Sequence, residues 1–220
     1  MVKQRPAKKS NPTKAYIVFE SVASRSLNMI TLQTPIEKLL KVHPTIKDVE
    51  TADMTRAAVV PAVAAMDAYF KDVFVERLVP YIKERSPGTS LVELLRKAGL
   101  DTAMALELLA MDRPYRRIRN LVDAHLQRTT TQRFDAIDEL FICYGMKDFC
   151  QNVQKNKNRK HLLASVAKIV ERRHKIVHEG DLNSHRRLSP IDALQTKRRV
   201  ADVLSFVAGA DELLQRQFGG

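Results

Sequence analysis

The stretch Glu171-Arg172-Arg173-His174-Lys175-Ile176-Val177-His178-Glu179-Gly180 decides how this chain is read. It puts an arginine where a helix should be apolar and a histidine near that helix's end. Read as a helix from Arg159 onward, its apolar positions are Leu162, Leu163, Val166, Ile169, Val170, Ile176 and Val177. At about 100° per residue, Ile169, Val170, Ile176 and Val177 flank Arg173, so the spacing predicts Arg173 in the middle of a buried stripe. A buried arginine needs a partner. The partner is either an internal carboxylate, with Asp67 or an acid of the last helix as candidates, or an anion that arrives from outside.

The rest of the chain sets the frame. Its 220 residues, 45% of them hydrophobic, suit one large domain or one domain with an appended tail. Seven Gly, no Trp and abundant Ala, Leu, Glu, Lys and Arg lean it toward helix. No run approaches the ~18 apolar residues of a membrane span; the longest, Ala57 to Met66, is interrupted by Pro61. The first residues lack an apolar signal core. Cys143 and Cys150 are too few for a disulfide framework and lack CxxC spacing, so a reducing cytoplasm is expected, with Cys150 facing inward. The net charge of +12 and pI near 9.8 favour a polyanionic partner, nucleic acid first and an acidic surface second.

Residues 1–14 carry Lys3, Arg5, Lys8, Lys9 and Lys14 without an acid and read as a flexible basic arm. Residues 15–50 form an N-terminal helical extension, with a helix from Ala15 to Ile30, a break before Pro35 and a short piece from Ile36 to Val42, ended by Pro44. Residues 51–220 form the main helical domain. Thr51 to Arg85 is its best amphipathic helix, with Val59, Val63, Met66, Phe70, Val73, Phe74, Leu78 and Tyr81 at helical spacing. Pro61 predicts a kink or a start within it. The aromatics Tyr16, Phe19, Tyr69, Phe70, Phe74 and Tyr81 are expected in the core. Shorter helices follow over Ser90–Ala98, Asp101–Met111, Pro114–Leu126, Arg133–Tyr144 and Lys147–Val153. Gly180 caps the helix that carries Arg173, and Asp181 to Leu188 reads as a loop. Ser189-Pro190-Ile191-Asp192 reads as an N-cap with Pro at the first helical position. It opens a final helix with Ile191, Leu194, Val200, Val203, Leu204, Val207 and Leu214 on its apolar side. No segment has a convincing strand period, so the fold class is all-α.

No GxGxxG, GxxxxGK[ST] or GxSxG occurs, which removes nucleotide-cofactor and hydrolase-elbow readings. Histidine exchanges a proton near neutral pH and arginine is a permanent bidentate clamp for phosphate. Together, without acidic metal ligands, they suit cleavage of RNA by its own 2′-hydroxyl. That reaction needs a base, an acid and a cation against the developing charge. A two-fold dimer would supply the second proton-transfer group by bringing two copies of His178 to one cleft. His174 and His178 also stand at the i,i+4 spacing of metal ligands, but no third ligand is fixed and no metal is expected. A cluster of arginines, Arg113, Arg116, Arg117 and Arg119, and a second basic run, Lys155, Lys157, Arg159 and Lys160, are candidate tracks for the RNA backbone, with Arg172 beside the motif.

Arg173-His174-Lys175-Ile176-Val177-His178 resembles the R-x4-H signature of HEPN domains, and Arg172 to Asp181, RRHKIVHEGD, is similar to its form in the RiboL-PSP-HEPN branch. The long helix with Ala65-Met66-Asp67-Ala68-Tyr69-Phe70 and the final helix entered by Leu188-Ser189-Pro190-Ile191-Asp192 fit that family's layout, over roughly Asp53 to Phe218. The resemblance implies an all-α HEPN-like bundle with additional helices and a homodimer with its active site at the two-fold interface. It also implies metal-independent endoribonuclease activity without a cofactor, with Arg173 and His178 catalytic and His174 as the polar residue after the arginine. Family members serve as toxins or in anti-phage defence, which would bring a neutralising or activating protein partner. Others are catalytically silent modules that bind nucleic acid or protein.

Overall fold

The computed structural model describes residues 11–42 and 51–218. Most of the basic arm, with Lys3, Arg5, Lys8 and Lys9, and the stop at Pro44 lie outside the described residues. The described residues form nine helices: α1 Lys14–Val42, α2 Ala52–Glu84, α3 Thr89–Lys97, α4 Thr102–Leu109, α5 Pro114–Leu126, α6 Phe134–Ile142, α7 Phe149–Asn156, α8 Leu162–Glu179 and α9 Ala193–Phe218. Among them the one β pairing is a single bridge between Leu182 and Leu188.

α2 is the axis. All eight apolar positions read from its periodicity are buried, and Ala58, Ala62, Ala65, Tyr69 and Val75 are buried with them, because α1, α5, α6, α8 and α9 all pack against it. Phe70 lies at its centre, with the rings of Tyr69, Phe141, Phe149 and Phe206 between 5.1 and 6.4 Å away, three of these four contacts edge-to-face. Rings at such distances prefer edge contacts because the face of each is negative and its rim positive. Of the six aromatics expected inside, Tyr16 alone is half-buried.

The break expected before Pro35 is absent, and α2 does not start at Pro61. α1 runs through Pro35 and α2 runs through both Pro61 and Pro80. A proline removes one backbone hydrogen bond and crowds the preceding turn. Here long packed stretches on either side hold the helix across the defect, since α1 lies along α2 and contributes Phe19, Ala23 and Ile30 to the same core. The start of the last helix also differs. Asp192, not Ser189, is its N-cap: its Oδ1 accepts the Gln195 N–H at 2.9 Å, and its carbonyl accepts the Thr196 N–H at 2.9 Å. The Ser189 and Pro190 carbonyls are instead occupied by arginines.

α7 crosses α9 at Gly209, where an added Cβ would lie 2.9 Å from Val153 Cγ1 and 2.8 Å from Lys157 Cε. Lys157 can swing away, whereas Val153 is fully buried. Gly209→Ala is therefore expected to lose about 1 kcal/mol in a urea titration, the overpacking of about 1–3 kcal/mol outweighing the helix-propensity gain of about 1 kcal/mol.

Cys143 and Cys150 are both buried free thiols. Burial pushes the Cys143 thiol up to about 11. The Cys150 thiol is raised further, by burial first and then by Asp138. Since the thiolate is the reactive form, neither cysteine should take up iodoacetamide near neutral pH until the protein is unfolded. Labelling counted by intact mass checks this.

Candidate functional site

The apolar stripe of α8 holds as far as Ile169. Leu162, Leu163, Val166 and Ile169 are buried, Val170, Arg172, Arg173 and Ile176 are half-buried, and Val177 is exposed. Arg173 therefore stands where the stripe leaves the core, not at its middle. Arg172 is the arginine that turns inward. It lies three residues after Ile169 and four before Ile176, so it shares their face as well as Arg173 does. The deciding factor is a distant acid: Arg172 Nη2 donates to Asp181 Oδ2 at 2.7 Å and to the carbonyls of Ser189 and Pro190, each at 3.0 Å.

Arg173 is left for other work. Its Nε is buried with no hydrogen-bond partner among the described residues. Asp67, one candidate partner, is committed elsewhere: Lys71 Nζ donates to it at 2.8 Å, and it accepts from the Thr131 hydroxyl at 2.9 Å. The rings of His174, the residue after Arg173, and His178, one turn further on, meet with centroids 4.7 Å apart and a tilt of 43°. Both histidines are exposed. α8 then closes on Gly180 at φ +62. A half-buried arginine and two exposed imidazoles thus stand on the last two turns of one helix. Such a set can hold a phosphate and move protons on either side of it. Among the described residues no group of three or more His, Cys, Asp or Glu could hold a metal ion.

The basic tracts divide. Arg113, Arg116, Arg117 and Arg119 are all exposed on or beside α5. Arg116 and Arg119 line a groove of about 580 Å³ between α1, α2 and α5 that also holds Asp72, Glu76 and Asp123. Desolvation first, and Asp123 second, hold the Asp72 carboxyl above its usual range. α5 packs on α2, α3 and α4, whereas α8 packs on α2, α7 and α9, so the arginine cluster and the α8 motif share only α2 as a packing partner. In the second run, Lys157 pairs with Glu212 at 2.7 Å and Arg159 with Asp202 at 2.5 Å, both acids of α9. Lys155 and Lys160 are exposed.

Three features near the motif escaped the sequence reading. Arg56 joins Arg172 on Asp181, with Nε 2.8 Å from Oδ2. The signal was present, because Arg56 precedes Val59 and Val63 by three and seven residues and so shares their buried face. The turn after α8 is a closed hairpin in which the Asn183 N–H donates to the Arg187 carbonyl at 2.8 Å, and it places exposed His185, Arg186 and Arg187 just beyond the motif. Finally, Val177, Leu182, Leu188 and Leu194 are all exposed, on the last turn of α8, the two sides of the hairpin's single bridge and the first turn of α9.

The family model for RiboL-PSP-HEPN matches residues 27–216, from the middle of α1 to the end of α9. No curated protein and no solved structure matches the chain.

Proposed function

Because the chain belongs to the RiboL-PSP-HEPN family, part of the all-helical HEPN group that includes ribonucleases, we propose that it is a metal-independent endoribonuclease working as a homodimer through Arg173 and His178. The observation that carries this reading is the pairing of an unpartnered Arg173 Nε with two exposed, touching histidines on the last two turns of α8. In the proposed reaction the RNA 2′-oxygen attacks the adjacent phosphorus as His178 takes the 2′ proton. The bond from phosphorus to the 5′-oxygen breaks, and the partner subunit's His178 protonates the leaving oxygen. The products are a 2′,3′-cyclic phosphate and a 5′-hydroxyl. Arg173 holds the non-bridging phosphate oxygens and offsets the charge that grows on them. His174 keeps the His178 ring turned toward the cleft.

Dimerisation supplies the second histidine, and the exposed Val177, Leu182, Leu188 and Leu194 give the motif's own end of the molecule an apolar surface to bury. Lys155, Lys160, Arg113 and Arg117 are the proposed backbone contacts among the sequence candidates. Arg172, Lys157 and Arg159 already hold carboxylates and belong to the scaffold. A nuclease of this kind must be restrained in its own cell, which favours a toxin or anti-phage setting with a neutralising or activating protein partner.

RNA with a single 2′-deoxy nucleotide at the cut site tests the chemistry. It should bind as the all-RNA strand does and remain uncleaved, while the all-RNA strand yields cyclic-phosphate ends. Cleavage of both strands would overturn 2′-hydroxyl attack. Salt-sensitive binding without cleavage of either would identify a silent binding module.

A further inference from the structure

Asp181 is 1% exposed and lies immediately beyond the helix cap, at φ +58. Aspartate tolerates that left-handed conformation better than most residues, but its side chain is held by more than local turn chemistry. Oδ2 accepts from Arg56 Nε at 2.8 Å and from Arg172 Nη2 at 2.7 Å. Arg56 Nη2 continues to the Ser189 carbonyl at 2.8 Å, while its Nη1 reaches Asp53 at 3.0 Å. The backbone of Asp181 is engaged as well. Its N–H donates to the Lys175 carbonyl at 3.0 Å, and its carbonyl accepts the Ser189 N–H at 2.8 Å. One residue thus ties together the first turn of α2, the last turn of α8, the base of the hairpin and the lead into α9.

Stability alone does not account for this arrangement, because two arginines on one buried carboxylate are commonly no more stabilising than apolar packing of the same volume. Its position does account for it. Arg172 is the neighbour of Arg173, and Asp181 lies three residues after His178. Fixing Arg172 from the inside sets the rotation of α8 about its axis, and fixing Asp181 sets where its last turn ends. We propose that the Arg56–Asp181–Arg172 clamp is a positioning device for the motif, holding Arg173 and His178 in the orientation that the reaction needs. In its catalytic consequence the inference rests on the nuclease reading above. The clamp residues themselves do not touch RNA.

The test uses Asp181→Asn, which keeps the shape and removes the charge, together with Arg56→Lys and Arg56→Met. Three quantities are measured on the full chain: the single-turnover cleavage rate at saturating protein, the dissociation constant for 2′-deoxy-blocked RNA, and amide hydrogen exchange over residues 174–181. Asp181→Asn should lower the single-turnover rate by ~10²-fold, as small misplacements of reacting groups do, while binding of blocked RNA changes by less than about twofold. Exchange should speed up in the last turn of α8 and stay slow in α2. Arg56→Lys should recover part of the rate that Arg56→Met loses, and it carries the same test should Asp181→Asn not fold.

An unchanged rate in these variants overturns the proposal, and so does a rate that only follows the folded fraction. If the native protein proves inactive on RNA, the nuclease reading falls and the exchange data alone judge the clamp. Local loss of protection at the α8 terminus then upholds it. Unchanged or uniformly lost protection removes it.

Discussion

His178→Ala is expected to abolish the proposed RNA cleavage, lowering the rate by ~10³-fold or more, while the fold stands. The size follows from asking one imidazole on each subunit to move a proton in the rate-limiting step. In a dimer the substitution removes base and acid together. Folding survives because His178 is exposed, and the contact it makes is with the equally exposed ring of His174. What folding can lose is a favourable interaction between a histidine and the negative end of α8, about 0.3–1 kcal/mol. For a chain of this size that lowers the melting temperature by about 2–4 °C at most. A histidine that served only to cap the helix would show the opposite pattern, a measurable loss of stability with the rate intact. Circular dichroism melts beside single-turnover rates separate the two.

Val177→Glu combined with Leu194→Glu is expected to yield a monomer and to remove the proposed cleavage with it. Both side chains are exposed apolar groups, one on the last turn of α8 and the other on the first turn of α9. Two carboxylates in each copy would be desolvated against their symmetry mates if the two-fold interface formed there, which costs far more than a surface carboxylate does. In the free subunit the same carboxylates sit in water. The expected result in sedimentation is a dimer for the native protein and a folded monomer for the variant. Cleavage should fall by ~10²-fold or more, because a lone His178 cannot be base and acid in one turnover. A variant that is monomeric and fully active would exclude the shared-site mechanism but leave Arg173 and His178 as candidates within one chain.

The helices were legible where burial follows a simple period. The eight apolar positions of α2 read from the sequence are all inside, and α3 to α8 were placed with their ends displaced by a few residues. Pro35 misled because a local rule was applied to a helix that packing along α2 keeps continuous. Ser189 misled for a related reason: as a cap it was plausible, but its carbonyl is needed by Arg56 and Arg172, so the helix starts later at Asp192. The same long-range partner explains the exchange between Arg172 and Arg173. Periodicity placed Arg173 in the buried stripe and left Arg172 among the candidate RNA contacts, whereas the fold shows Arg172 drawn onto Asp181 and Arg173 where the stripe leaves the core. Charge runs were the least informative, since a lysine or arginine in sequence carries no sign of the carboxylate waiting for it. Lys157 and Arg159 read as part of a basic track and are tied to Glu212 and Asp202 on α9.

The most direct measurement is incubation of the purified protein with mixed RNA in EDTA, with the His178→Ala protein purified alongside and the product ends identified. The expected result is cleavage by the native protein alone, leaving 2′,3′-cyclic phosphates. Equal cleavage by both preparations, or cleavage that EDTA stops, would contradict it.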